Sequence, residues 1–450
     1  MWRAEPFRLS VGAAELAALR AKLQSARLPG PQRVNAGGAP GLASSGKAAL
    51  GEGWALGCDA GVLRELVAEW AGPFLDAWPA LEAQLNGELP QFTMELPGGF
   101  VLHYIHARCG KRDAVPVVML HGWPSTLYDF RHVVPQLVAR GFDVVVPALV
   151  GFGFSRGPRP VGVREMAELV NALMVKGLGY QHYAAQGGDW GGAVAAFLAA
   201  FHGPSCVALH SNLPVPNVRP SLHPLNVNKL LRLAAHAAAP GLTLDAREAH
   251  AFRRLKDTLV QSGAYFQQHV LKPDTLGLGL QDSPAGLLAY LAEKYYFNCW
   301  EPRRHTAQLL TTCTVLYVSR SVTASLRIYR EIVLNKEMQA LPHYIDCPSA
   351  FLCCAGEVLQ APRALTELCY DVRQYSVLDH GGHFAPAEVP AELADDVARF
   401  LTEAVSFDTC VQAAHKRTNA MPADKHLRYA APFLPLALGA VTAVAMAARL

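Results

Sequence analysis

The chain has 450 residues, 51% of them apolar and 17% charged, with a formal charge of +3. That length suits one large α/β unit with an inserted subdomain, or two to three smaller domains, and so small a positive charge marks no nucleic-acid surface. Ten cysteines show neither a CxxC pair nor metal-type spacing, which points to reduced, buried thiols; Cys353-Cys354, in an apolar run, leave a redox alternative open.

Residues 1–95 read as an N-terminal arm. Its start, Met1-Trp2-Arg3-Ala4-Glu5, lacks the apolar stretch of a secretory signal. Phe7 and Leu9 lead into a short amphipathic helix carrying Leu16, Leu19 and Leu23, stopped at Leu28-Pro29. Residues 30–52 are rich in Gly, Ala and Ser without periodicity, the composition of a flexible surface loop. Leu63, Leu66, Val67 and Trp70 recur at three and four and predict a second helix; Phe74, Trp78, Leu81 and Leu85 predict a third. The arm has too little apolar periodicity for a large core of its own and is expected to pack on the core formed by the residues after it.

Residues 96–212 carry the first part of a core. Phe100 to Ile105 alternate as a strand, and Val115 to Leu120 form a continuous apolar run typical of a strand covered on both faces, ended by His121-Gly122-Trp123-Pro124. A helix over 128–138, a strand over 142–146, the glycine turn 151–155 and a helix near 161–175 come next. Tyr183-Ala184-Ala185 then approaches Gln186-Gly187-Gly188-Asp189-Trp190-Gly191-Gly192, with a small-residue helix beyond it and a strand at 206–210. This alternation implies a mainly parallel sheet with reactive groups at its carboxyl ends. Residues 213–342 read as helical, most clearly at 230–239, 246–261, 283–296 and 304–316, and are most simply a lid over that edge. Strands return at 349–353 and 374–378, with a helix over 388–401, so 343–405 complete the core.

After a linker at 406–428, Tyr429 to Ala448 contain no charged residue, close to the roughly 20 residues that cross a bilayer. A C-terminal membrane anchor is expected, with an interfacial tail or a packed helix as alternatives. Lys425, His426 and Arg428 before it favour a cytosol-facing catalytic region on an endomembrane such as the endoplasmic reticulum, with a cytoplasmic protein or a membrane-associated one in a prokaryote as the alternative.

Glycines crowd both sides of Asp189, as they do where a strand turns sharply into a helix with a reactive side chain at the tip. With an acid at the tip, the reading is a carboxylate nucleophile that attacks carbon and leaves an ester for water to break. The string by itself is also compatible with a Gly-rich helix start whose Asp189 complements the helix dipole. Glu357 and His383 come after the two late strands and would reach the same carboxyl edge. A histidine oriented by an acid can activate water, with His380 as the competing base. The backbone N–H groups of Trp123 and Trp190 could hold the oxyanion of ester hydrolysis, and their rings could line an apolar cavity.

In order along the chain stand Trp54-Ala55-Leu56-Gly57, Pro90-Gln91-Phe92, His121-Gly122-Trp123-Pro124, Gly187-Gly188-Asp189-Trp190-Gly191, Lys272-Pro273-Asp274-Thr275, Asp282-Ser283-Pro284-Ala285-Gly286-Leu287, Arg327-Ile328-Tyr329-Arg330-Glu331 and Gly381-Gly382-His383-Phe384. Through them the chain resembles the microsomal-type epoxide hydrolases of the α/β-hydrolase superfamily, with their juvenile-hormone and fungal relatives, over about residues 5–402. The resemblance implies an α/β-hydrolase sheet with an inserted helical lid, and a nucleophile, charge-relay acid and water-activating histidine at Asp189, Glu357 and His383. It implies two lid tyrosines that polarise the epoxide oxygen, at Tyr329 and at Tyr265. An opening epoxide leaves as an alkoxide, and two phenols can donate to it without placing a full charge in an apolar pocket.

The chain departs from the family in two places: Cys354-Ala355-Gly356 replaces the usual Phe-Pro turn before the acid, and Val318 replaces an aromatic after Tyr317. The expected activity is hydrolysis of lipophilic epoxides to vicinal diols, with water as co-substrate and no cofactor or metal. Phe92, Trp123, Trp190 and Phe266 are the expected pocket lining. A haloalkane dehalogenase, or a relative that binds lipophilic ligands without turnover, is the alternative.

Overall fold

The computed structural model describes residues 2–30, 52–217, 223–249, 263–357 and 359–420. The expected loop at 30–52, most of the expected helix at 246–261 and the apolar tail at 429–450 therefore lie largely or wholly outside the described residues. Nine strands form one sheet: β1 (Ala4–Phe7), β2 (Gln91–Leu96), β3 (Phe100–Ala107), β4 (Val115–Leu120), β5 (Phe142–Pro147), β6 (Tyr183–Gly187), β7 (Cys206–Ser211), β8 (Ile345–Cys353) and β9 (Tyr370–Val377). Their order is β1-β2-β3-β5-β4-β6-β7-β8-β9.

From β5 to β9 every pairing is parallel, as the strand–helix alternation implies. The continuous apolar run of β4 sits near the sheet centre, where Val117 to Leu120 are fully buried under helices on both faces. The other edge, β1, β2 and β3, pairs antiparallel up to β5. β1 and β2 come from the arm and are missing from the sequence reading. Ala4–Phe7 is only 4 residues long and largely exposed, and Gln91–Leu96 carries Gln, Thr and Glu, so neither has a clean two-residue alternation.

The arm is fixed to the rest by its tryptophans. Trp70 and Trp78 are fully buried, and the Trp70 indole N–H donates to Thr314 Oγ1 at 3.0 Å on the helix Thr306–Val318. Trp54 stacks on Tyr296 with ring centroids 4.5 Å apart. The expected helix over 128–138 is split into a 3-10 turn, Leu127–Phe130, and a helix, Val134–Ala139. Pro135 explains the break, since it has no N–H to donate one turn back and its ring crowds the carbonyl there, so it is accommodated only in the first turn of a new helix.

Between β7 and β8 the chain is helical where described, with the helices Pro224–Ala238, Ala264–Leu271, Pro273–Asp282, Pro284–Asn298, Thr306–Val318 and Val322–Leu334. This region reaches the carboxyl ends of the strands: the guanidinium of Arg247, between the first two of these helices, donates to the carbonyls of Cys353, at the end of β8, and Leu378, just past β9. Residues 407–420, expected within a linker, form a helix beside β7 with Cys410 and Ala414 buried four residues apart. Two small residues make too narrow an apolar stripe to stand out in so polar a sequence. No helix among the described residues is long and apolar enough to cross a membrane.

Candidate active site

β6 ends at Gly187, and the helix Asp189–Phe201 begins two residues later, with Asp189 in the left-handed region at φ 50°. An L-residue is strained there, so the surroundings must hold it. They do so by excluding side chains: a Cβ on Gly191 would lie 2.0 Å from the Leu120 carbonyl oxygen, and one on Gly187 2.3 Å from that of Gly191. The turn is therefore pressed against the end of β4, and the Asp189 carboxylate stands beside Gly122, where a Cβ would come within 2.2 Å of Oδ1. The backbone N–H of Trp123 donates to that same Oδ1 at 2.8 Å. Trp190 occupies the second position of the helix, so its N–H has no intrahelical acceptor.

The late strands bring in the other two groups. His383 Nε2 stands 3.6 Å from Asp189 Oδ2, and Nδ1 lies 3.0 Å from each Glu357 oxygen. Glu357 is 1% exposed. It closes a turn in which its N–H donates to the Cys354 carbonyl, while Gly356 and Ala355 donate to the carbonyls of Gly381 and His380. The acid turn is thus bonded directly to the histidine loop, which places the carboxylate without the family's Phe-Pro pair. His380 is half-exposed and engaged with Asp379 and Glu392 instead.

Across from this triad the lid supplies an aromatic wall. Tyr329, on Val322–Leu334, packs edge-on against Trp190 at 4.9 Å, Trp123 at 5.8 Å and Phe266 at 5.4 Å between centroids. Tyr265, on Ala264–Leu271, stacks on Trp123 at 5.6 Å and meets Tyr329 at 6.0 Å. A carboxylate, a histidine–acid pair, backbone donors and two phenols facing one apolar space can open a strained ring and hydrolyse the resulting ester.

The family model for the epoxide hydrolase N terminus matches residues 4–130, and that for the alpha/beta hydrolase fold matches residues 115–388. The juvenile hormone epoxide hydrolase of Manduca sexta is 30% identical over 70% of this chain and 72% of its own length. This chain belongs to the epoxide hydrolase family. Epoxide hydrolase 1 of Sus scrofa is 28% identical over 77% of this chain and 80% of its own. The Aspergillus niger epoxide hydrolase structure superimposes with a TM-score of 0.74 at 26% identity, covering 90% of this chain and 97% of that one.

In this epoxide hydrolase the electrostatics separate the groups. Burial pushes the Tyr329 and Tyr265 hydroxyls well above the ordinary phenol range, and the nearby Asp189 carboxylate adds to it, so both stay protonated. Burial alone would push the His383 imidazole down, but the Glu357 and Asp189 carboxylates outweigh it and hold it well above the usual histidine value.

Two parts of the expected site need correction or addition. Phe92 does not line this wall. It sits on β2, four strand positions from β6, about 19 Å across the sheet, with its ring against Tyr104 at 5.8 Å and His106 at 6.4 Å. Its motif belongs to a strand near the sheet edge, between β1 and β3. Three lid residues outside the sequence reading do reach the wall. The His269 ring lies 4.6 Å from Trp123 and 4.7 Å from Tyr329, Tyr290 bonds His269 Nε2 at 2.9 Å, and the Lys294 ammonium stands 4.4 Å from the Tyr265 ring centroid. Their signal is the four-residue spacing Tyr265/His269 and Tyr290/Lys294, which puts polar groups on one helix face. Cys353 and Cys354 are free thiols; burial pushes Cys353 up to about 11 and Cys354 well above the usual thiol range, which leaves both unreactive as thiolates.

Proposed function

We propose that the enzyme converts lipophilic epoxides to vicinal diols through an aspartyl hydroxyalkyl ester. The observation that carries this reading is the Asp189 carboxylate: one oxygen is held by the Trp123 N–H, and the other stands 3.6 Å from His383. Oδ2 attacks a ring carbon, the carbon–oxygen bond of the epoxide breaks, and its oxygen takes a proton from Tyr329 or Tyr265 as it becomes a hydroxyl. His383 Nε2 then removes a proton from water, whose oxygen attacks Cγ of Asp189. The tetrahedral oxyanion forms at Oδ1, between the N–H groups of Trp123 and Trp190. Collapse breaks the bond from Cγ to the alkyl oxygen and releases the diol, so the water oxygen stays in Asp189. The proton on His383 goes to the departing alkoxide, and the carboxylic acid left on Asp189 gives its proton through solvent to the tyrosinate, which restores both groups.

The apolar lining by Trp123, Trp190 and Phe266 supports lipophilic substrates. The test is diol formation from styrene oxide, stilbene oxide and an epoxy fatty acid by wild type and Asp189→Asn. Diol from the wild type alone supports the reading; equal diol from both would remove Asp189 from it. Membrane attachment through residues 429–450, on a cytosol-facing endomembrane, is a separate proposal supported by their uncharged composition up to Ala448. Deleting Pro432 to Leu450 should move the protein from carbonate-washed membranes to the soluble fraction, and an unchanged distribution would reject the tail as its main anchor.

A further inference from the structure

Lys294 is among the most buried charged residues of the lid, 4% exposed on the helix Pro284–Asn298. A lysine is stable in such a place only if its ammonium finds compensating partners. It has a carboxylate, that of the adjacent Glu293, and two aromatic rings: its Nζ lies 4.4 Å from the centroid of Tyr265 and 5.3 Å from that of Tyr290. Glu293 is the more exposed partner, its side chain 24% accessible, so solvent weakens its share of the compensation. The neighbouring His269 contributes no competing cation, because burial and the ammonium itself push its imidazole down to about 3. One charge therefore rests on the Tyr265 ring, whose hydroxyl is near enough to Asp189 to feel its charge.

A ring that donates a proton to a developing alkoxide gains electron density as it does so. A cation against its π system is attracted more strongly to that electron-rich ring than to the neutral phenol, so the interaction is greatest at the transition state for ring opening. The same contact holds the ring against Trp123, whose backbone N–H holds Asp189.

We propose that Lys294 is a positioning residue for epoxide opening, acting through Tyr265 by cation–π contact; the inference rests on the proposed two-step mechanism. Its ammonium contacts are with Glu293, Tyr265 and Tyr290, which assigns it to ring opening rather than to ester hydrolysis.

The experiment is a double-mutant cycle in single turnover with enzyme in excess, on the full-length protein and styrene oxide. Ester formation is followed by tryptophan fluorescence and diol release by chromatography. Lys294→Met should slow ester formation about tenfold, the size of a desolvated cation–π contact, and leave ester hydrolysis unchanged. In a Tyr265→Phe background the same substitution should cost less than about twofold, because the coupled hydroxyl is gone; Lys294→Arg should keep most of the wild-type rate. An equal loss in both backgrounds, or in both steps, would make Lys294 a lid support only and overturn the inference while leaving the mechanism intact. Wild type that makes no ester and no diol would overturn the mechanism and the inference together. Should Lys294→Met not match the wild-type circular dichroism and melting, Lys294→Gln, which keeps a polar head for Glu293, enters the cycle and is read by the same outcomes.

Discussion

His383 Nε2 stands 3.6 Å from Asp189 Oδ2, beyond a direct hydrogen bond, while Nδ1 is held at 3.0 Å by Glu357. The imidazole is thus fixed from behind, with Nε2 turned toward the carboxylate that becomes the ester. In the proposed sequence Nε2 activates the hydrolytic water, so His383→Gln should leave ester formation nearly intact. Ester hydrolysis should fall by roughly a thousandfold, so the alkylated enzyme accumulates and intact-protein mass spectrometry finds it heavier by one substrate. Loss of ester formation itself would show that His383 does not act in the second step alone.

The Glu357 carboxylate first, and the Asp189 carboxylate after it, raise the His383 pKa, and ester formation removes the second charge. The imidazole therefore holds a proton less tightly at the moment a base is required. The pKa read from the ester-hydrolysis phase should lie below that of His383 in the free enzyme, measured by NMR; an equal or higher value would contradict the coupling. The folded-state shift is upward, so its contribution to stability is complete below about pH 6.5 and fades as pH rises through the folded value. His383→Gln should flatten that part of the melting-temperature profile.

The two phenols are pushed upward by burial and by Asp189, so ring opening should show no alkaline fall from their ionisation up to about pH 10. Tyr329→Phe and Tyr265→Phe should each slow ester formation by roughly a hundredfold without slowing ester hydrolysis. Single-turnover traces separate the two; a loss confined to hydrolysis would assign the phenols to the wrong step.

Gly122 and Gly191 divide position from stability. Gly122→Ala puts its methyl 2.2 Å from Asp189 Oδ1 and 2.4 Å from its Cβ, so the reacting residue itself is displaced and activity should be lost ahead of stability. Gly191→Ala meets the Leu120 carbonyl at 2.0 Å and should destabilise by about 2 kcal/mol or more. Calorimetry together with diol assays distinguishes the pair, and a stable, active Gly191→Ala would contradict the close packing of the turn on β4.

Glu388 bonds lid to core: its carboxylate accepts from the Trp300 N–H at 2.6 Å and the Phe384 N–H at 3.0 Å, next to His383. Burial pushes it up to about 7. An acid with a raised folded pKa holds its proton longer in the native state, so stability falls as pH climbs from about 4.5 toward that value. Glu388→Gln should abolish this slope. It should also cost about 1–2 kcal/mol, since one backbone N–H then faces an amide NH2; a slope unchanged in the variant would assign it elsewhere.

The parts legible in the sequence were those whose physics is local. The Val115 to Leu120 run can only be a buried strand, and the glycines around Asp189 are required by contacts within a few residues and with the end of that strand. Glu357 and His383 were legible because each comes after a strand of the same sheet. What escaped depends on distant partners. Phe92 resembles a pocket aromatic until pairing places β2 near the sheet edge, and β1 becomes a strand only because β2 is there to bond it. Lys294, His269 and Tyr290 read as ordinary amphipathic helix positions, since nothing within their own helices shows that Tyr265 and Trp123 lie opposite.

The measurement that tests the covalent mechanism most directly is one turnover in heavy-oxygen water with enzyme in excess. An aspartyl ester broken at its acyl bond predicts the label in the peptide carrying Asp189 and a first diol free of it. A first diol that carries the label, with Asp189 unlabelled, would mean that water attacks the epoxide directly and would contradict the covalent mechanism.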